Sequence, residues 1–191
     1  MSYLNTSKVL ALSKIFSEDK VLYHEIRVSY FANVLFDSLI NDNELDDIDK
    51  EVLMTSALLH DIGKSKSKKL HNRSSRDIIM DDLRFKEALK DLREPVSIVA
   101  FSHRKELQED LYFFDKDISE RLLIIISLLR LADGLDFYEN PNYKTDKITL
   151  NSKNIFIRTN LPYSIRFEKN LNNKKLLLEE RFNKHLKFSF K

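Results

Sequence analysis

LLHDIGK, residues 58–64, ends an apolar run with a histidine and an aspartate side by side. Leu53, Ala57 and His60 stand four and three residues apart, the spacing of one helix face, and Gly63 is a residue able to stop a helix in a left-handed turn. The stretch is therefore read as the end of a helix with His60 on its inward side. Asp61, rotated by about 100° from His60, still flanks the same face. The surrounding sequence, from about residue 4 to about residue 140, keeps this helical period. Its one proline, Pro95, fits the start of a helix, and a chain with 2 glycines has little material for hairpin turns. The pattern predicts a mainly α fold.

After ENPNYKT (139–145) the texture changes. DKITLNSKNIFIRTN holds two short alternating runs around residues 151–154, as in a hairpin, and YSIRFEK (163–169) alternates like a third strand. NLNNKKLLLEERFNK returns to a helical period and HLKFSF alternates again. These runs predict a helical domain over residues 1–144 and a small β-β-β-α-β subdomain over 145–191. The aromatic residues Phe156, Phe167, Phe182, Phe188 and Phe190 would supply the core of the smaller unit.

Composition narrows the chemistry. A chain of 191 residues with 42% apolar residues can bury a sizeable core. Thirty-two basic and 30 acidic residues leave a net charge of +2, which gives no bulk signal for nucleic acid or membrane, so a basic function has to be local. Without cysteine there is no disulfide, no thiolate zinc site and no cysteine nucleophile, and a reducing cytoplasm is the expected setting. The longest apolar run, Leu122 to Leu129, is too short for a membrane span, and Lys8 and Lys14 interrupt any signal-like N-terminus.

His24, His60, Asp61 and Asp133 have metal-ligand chemistry and lie on or beside apolar helix stripes. His24 shares its stripe with Val21, Val28, Phe31 and Leu35, and Asp133 with Leu122, Ile126 and Leu129. A carboxylate on such a stripe has to be paired, protonated or bound to metal. If the four converged, two imidazoles and two carboxylates would suit a divalent ion such as Mn²⁺, Fe²⁺, Co²⁺, Ni²⁺ or Mg²⁺, with positions open to water. One or two such ions would suit hydrolysis at phosphorus.

The order His24, then His60-Asp61 within LLHDIGK, then Asp133 within LLRLADGLD resembles the HD superfamily of metal-dependent phosphohydrolases. HEIRVSYFANVL, HDIGK…LHNRSSRDII, IVAFSHRK and LLRLADGLD, with the α/β tail, resemble the C-terminal HD half of the exopolyphosphatase and guanosine pentaphosphate phosphohydrolase family. The resemblance covers nearly the whole chain. It implies an HD-type helical bundle with a small C-terminal α+β unit, and His24, His60, Asp61 and Asp133 as metal ligands. His71 and His103 are candidates for a second ion's shell by the same analogy. The family's actin-like N-terminal domains have no counterpart in this sequence, so exopolyphosphatase activity does not transfer by resemblance. The family also tends to carry a further histidine where this chain has Ser74.

Basic residues follow the motif. Lys64, Arg73, Arg104 and Arg130 are candidate phosphate-binding residues, the arginines as forked donors and lysine as a point charge. Asp61, Lys64 and Arg104 are the candidate catalytic residues. Lys64 to Lys69, KSKSKK, otherwise reads as a solvated loop, Asp136 as a surface carboxylate near a helix end with a supporting partner of the ligand set as the alternative, and His185 as structural or exposed. The expected activity is hydrolysis of a phosphate ester or anhydride by metal-activated water, on a nucleotide, a guanosine polyphosphate or polyphosphate. The alternative is a non-catalytic module that binds a phosphorylated ligand or docks on a separate actin-like partner. No membrane or nucleic-acid partner is expected, and the small unit is a candidate pocket cover or homodimer contact.

Overall fold

The computed structural model describes residues 6–40, 45–104 and 106–190. Helices α1 (Thr6–Phe16), α2 (Asp19–Leu39), α3 (Asp47–Leu59), α4 (His71–Asp81), α5 (Leu83–Leu89), α6 (Arg93–Phe101) and α7 (Lys116–Leu135) come first. Strands β1 (Thr145–Leu150) and β2 (Asn154–Thr159) follow, then α8 (Ile165–Lys174), α9 (Leu176–Phe182) and β3 (His185–Phe190). The expected mainly α architecture with a small α+β tail is what the chain adopts. None of the described helices is long and apolar enough to cross a membrane.

The burial pattern of α7 explains its place at the centre. From Ile125 to Leu135 all but Arg130 and Asp133 are buried, so the helix is enclosed on almost every side and those two polar side chains stand out against apolar neighbours. α2 buries one stripe, Val28, Phe31, Ala32 and Leu35, and packs it on α3 and α7. The start of α3 is fixed by a reciprocal cap. Asp46 accepts from the backbone N–H groups of Ile48 and Asp49, while Asp49 accepts from the Asp46 N–H. Pro95 lies in the first turn of α6, where its missing N–H costs nothing.

In the tail, β1 pairs antiparallel with β2 and β2 pairs parallel with β3, in the order β1-β2-β3. The hairpin at 151–154 is held by Asn151, whose Oδ1 accepts from the N–H groups of Lys153 and Asn154. The expected third strand at 163–169 is instead the start of α8, which makes the tail β-β-α-α-β. Ser164 caps that helix by accepting from the Phe167 N–H at 3.2 Å, and Phe167 and Leu171, four residues apart, form its buried stripe. Ile165, the residue that completed the apparent alternation, is 78% exposed. Ile155, Ile157, Phe167, Leu171 and Leu186 join the same buried apolar cluster as Leu53, Ile126 and Leu129. The tail is thereby packed on the helical core.

Gly63 departs from the expected left-handed turn. No glycine has positive φ, and residues Ile62–Ser65 form a single 3-10 turn. The position needs glycine for space: an added Cβ would stand 2.3 Å from the His71 carbonyl oxygen and 2.4 Å from the Ser75 nitrogen. The Gly63 N–H donates to Ser75 Oγ, and that hydroxyl donates to the His60 carbonyl. The HD turn and the first turn of α4 are thus locked backbone to backbone.

Candidate metal centre

Helix positions bring the chemistry together. His24 comes from the second turn of α2, His60 and Asp61 from the end of α3, His71 from the first turn of α4, His103 from just past α6, and Asp133 from α7. Asp61 is the hub, only 2% exposed. Its Oδ1 lies 3.2 Å from His71 Nε2 and 3.8 Å from His103 Nε2, and its Oδ2 lies 3.4 Å from His60 Nε2 and 3.5 Å from His24 Nε2. His24 Nε2 is also 3.3 Å from Asp133 Oδ1.

Three of the rings are oriented by one local device. His60, His71 and His103 each turn Nδ1 onto the carbonyl three residues earlier, at Ala57, Lys68 and Ala100, with distances of 2.9, 2.9 and 2.6 Å. A carbonyl only accepts, so Nδ1 carries the proton, and a neutral ring then presents a lone pair at Nε2. Those lone pairs face the Asp61 carboxylate and one another, with His71 Nε2 and His103 Nε2 3.1 Å apart. His60 Nε2 and Asp61 Oδ1 are buried and make no hydrogen bond. Electron pairs gathered in this way call for a cation, and a metal-binding histidine normally commits its other nitrogen as these do.

Protonation is set by the same geometry. Burial holds the His60 and His103 pKa values below the usual histidine range, leaving both rings neutral. For His24 burial acts in the same direction but loses to Asp133 and Asp136, which lift it to about 10. Burial would raise Asp61, but the Lys64 ammonium against its Oδ2 holds it low, and Lys174 with His24 does the same for Asp133. Two sets of ligand atoms lie within 4.8 Å of one another, His24 with His60 and Asp133, and His60 with Asp61 and His103. Nitrogen and oxygen donors of this kind fit a divalent ion.

The other expected residues divide. Lys64 reaches the site, its ammonium against Asp61 Oδ2. A cavity of about 300 Å³ opens there between His24, Asp61, Lys64, Lys68, Phe16 and Val21. Arg104 and Arg130 line a second cavity, of about 550 Å³, with His103 and Lys174. Arg130 donates to the carbonyls of Ser102 and Glu106 and has no carboxylate partner among the described residues, and burial lowers its pKa to about 10. Arg73 is not brought in. It pairs with Glu106 at 3.0 Å on the surface and lines neither cavity.

The sequence reading misses Lys174 and ranks the role of Asp136 behind a surface position. Asp136, expected at the surface, is 3% exposed, accepts from His24 Nδ1 at 2.7 Å and takes Arg27 Nε at 2.7 Å. The retrievable signal is a matched spacing, His24 and Arg27 on α2 against Asp133 and Asp136 at the end of α7. Lys174, whose ammonium touches Asp133 Oδ2, sits in an ordinary lysine-rich helix end and carries no such signal.

Fold and cluster together define a helical scaffold with a histidine–aspartate centre suited to a divalent cation. The family model for Ppx/GppA phosphatase, domain III, matches residues 6–185, and the chain belongs to that family of phosphatases. No curated protein matches the chain.

Proposed function

We propose that this protein is an HD-type metal-dependent phosphohydrolase acting on a phosphate ester or anhydride. The observation that carries the reading is the four imidazole Nε2 atoms turned on the Asp61 carboxylate, three of them with Nδ1 bound to a backbone carbonyl and the fourth to Asp136. His24, His60, Asp61 and Asp133 hold the first ion, and His71 and His103, with Asp61 between, are placed for a second. Mn²⁺, Fe²⁺, Co²⁺, Ni²⁺ and Mg²⁺ fit this donor set. Such an ion supplies Lewis acidity toward a phosphoryl oxygen and a water acidified enough to act near neutral pH.

The chain's own residues do the rest. Lys64, on the 300 Å³ cavity, offers a point charge to a phosphoryl oxygen, while Arg104 and Arg130 offer donors from the opposite cavity. Arg130 is well placed for this, because a half-buried guanidinium without a carboxylate partner among the described residues gains by meeting an anion. These cations stabilise the negative charge that builds on the oxygens as the bond to the leaving group breaks. Family membership supports the phosphate chemistry. Nucleotides, guanosine polyphosphates and polyphosphate are the substrates to try.

The test is elemental analysis of protein purified without chelator, paired with phosphate release from that substrate panel with and without Mn²⁺. Stoichiometric metal and turnover, both lost in Asp61→Ala, are expected. Metal and turnover retained in Asp61→Ala would overturn the ligand assignment. A second reading is a binding module working with a separate actin-like phosphatase partner, favoured by the fact that the matching family model describes one domain of a phosphatase. Nucleotide binding indifferent to chelator and to Asp61→Ala would select it.

A further inference from the structure

The C-terminal unit sends one charged side chain into the candidate metal centre. Lys174, at the end of α8, places Nζ against Asp133 Oδ2 and 3.4 Å from the His103 carbonyl oxygen. Its stem lies along Gly134, where an added Cβ would come within 3.1 Å of Lys174 Cγ and 3.2 Å of its Cβ. Asn170, one turn earlier, donates to the Gly134 carbonyl at 3.3 Å and fixes the approach of α8 to α7. The Lys174 side chain is about a fifth exposed and lines the cavity that holds Arg104 and Arg130.

We infer that Lys174 is a displaceable counter-cation, which occupies Asp133 in the metal-free protein and yields that carboxylate to a divalent ion. The inference rests on Asp133 being a metal ligand, as proposed above. Without ion or ammonium, Asp133 would be a largely buried carboxylate left with the imidazoles of His24, 3.3 Å away, and His60, within 4.8 Å. Burying it so is unfavourable, and Lys174 removes that cost. When an ion takes Asp133, two cations compete for one carboxylate. The lysine stem is long and flexible, and the 550 Å³ cavity beside it gives the ammonium somewhere to go. There it joins Arg104 and Arg130 as a third phosphate donor. The tail thereby sets how tightly the centre holds its ion, and arms the anion pocket only when the ion is bound.

Lys174→Met keeps the stem and removes the charge. Because metal and ammonium exclude each other on Asp133, the variant should bind Mn²⁺ more tightly, by about fivefold or more in calorimetric Kd, while the metal-free protein melts at a lower temperature than wild type. Lys174→Arg should restore the metal-free melting temperature. A lysine that organises the ligands gives a different result, Met lowering melting temperature and metal affinity together, and one that merely packs gives no change in either. Metal affinity unchanged or weakened in a folded Lys174→Met protein overturns the inference and leaves the metal centre standing. Wild type that binds no Mn²⁺ overturns both.

Discussion

His24 Nδ1 meets Asp136 Oδ2 at 2.7 Å, and the same carboxylate is clamped by Arg27 through Nε at 2.7 Å and Nη2 at 3.0 Å. Asp136 therefore aims the ring whose other nitrogen faces Asp61 and Asp133, while the two Arg27 hydrogen bonds hold Asp136 in place. Asp136→Asn retains shape but removes the charge that favours the Nδ1 proton. Metal affinity should fall by about tenfold to a hundredfold. Competition with a metal indicator dye on folded protein measures it, and unchanged affinity would leave Asp136 a purely structural residue.

Gly63→Ala tests the seam between the HD turn and α4. The new methyl would collide with backbone at His71 and Ser75 rather than with a side chain that can rotate away, so α4 itself has to shift. The expected loss is at least about 2 kcal/mol in denaturant unfolding. The shift also draws His71 away from Asp61, so metal binding should weaken even where the variant remains folded. A variant with wild-type stability would mean that the turn relaxes more easily than this packing allows.

Arg121 joins α7 to the start of α3 by bonding both Asp46 and Asp49. Partial burial acts to raise the Asp46 pKa, but the Arg121 hydrogen bond and the N–H groups of Asp49 and Ile48 outweigh it, and the carboxyl lies below its ordinary 3.8. A depressed carboxyl pKa contributes stability that is present above the unfolded value and lost as pH falls through the folded one. Arg121→Met should cost roughly 1 kcal/mol at pH 7, since the pair is partly exposed, and progressively less below about pH 4. Urea unfolding of both proteins at pH 7 and pH 4 gives the comparison, and a pH-independent difference would assign Arg121 to packing alone.

Much of this architecture is legible where burial repeats at helical spacing. The stripes of α2, α3 and α7 mark His24, His60 and Asp133 as polar groups on inward faces, and the structure does bring them together. The tail misleads because Tyr163, Ile165 and Phe167 alternate by chance, while the decisive cap, the Ser164 hydroxyl on the Phe167 N–H, is a single hydrogen bond. Gly63 shows another limit. Its sequence context allows a turn glycine, and only the approach of α4 reveals that space, not φ, requires it. Arg73 and Lys174 mark the limit for long side chains. Nothing local says that Arg73 turns outward to Glu106 while a lysine some forty residues beyond Asp133 turns inward to it.

Arg104 and Arg130 share a cavity but hold it differently, which separates binding from folding. Arg104 is exposed and donates from Nη1 to the Lys69 carbonyl at 2.7 Å. Arg130 bonds the carbonyls of Ser102 and Glu106 and so ties α7 to the segment following α6. Arg104→Ala should therefore leave the melting temperature within about 2 °C of wild type, because little packing is lost. On the substrate of highest turnover, loss of a donor that binds ground state and transition state alike raises KM with kcat kept. Loss of one that strengthens only as charge develops lowers kcat. Because charge on the phosphoryl oxygens grows as the bond to the leaving group breaks, the second pattern is expected of Arg104. Arg130→Ala should lower stability and substrate affinity together. If Arg104→Ala changes neither KM nor kcat while Arg130→Ala changes only stability, the 550 Å³ cavity is not where the phosphate binds.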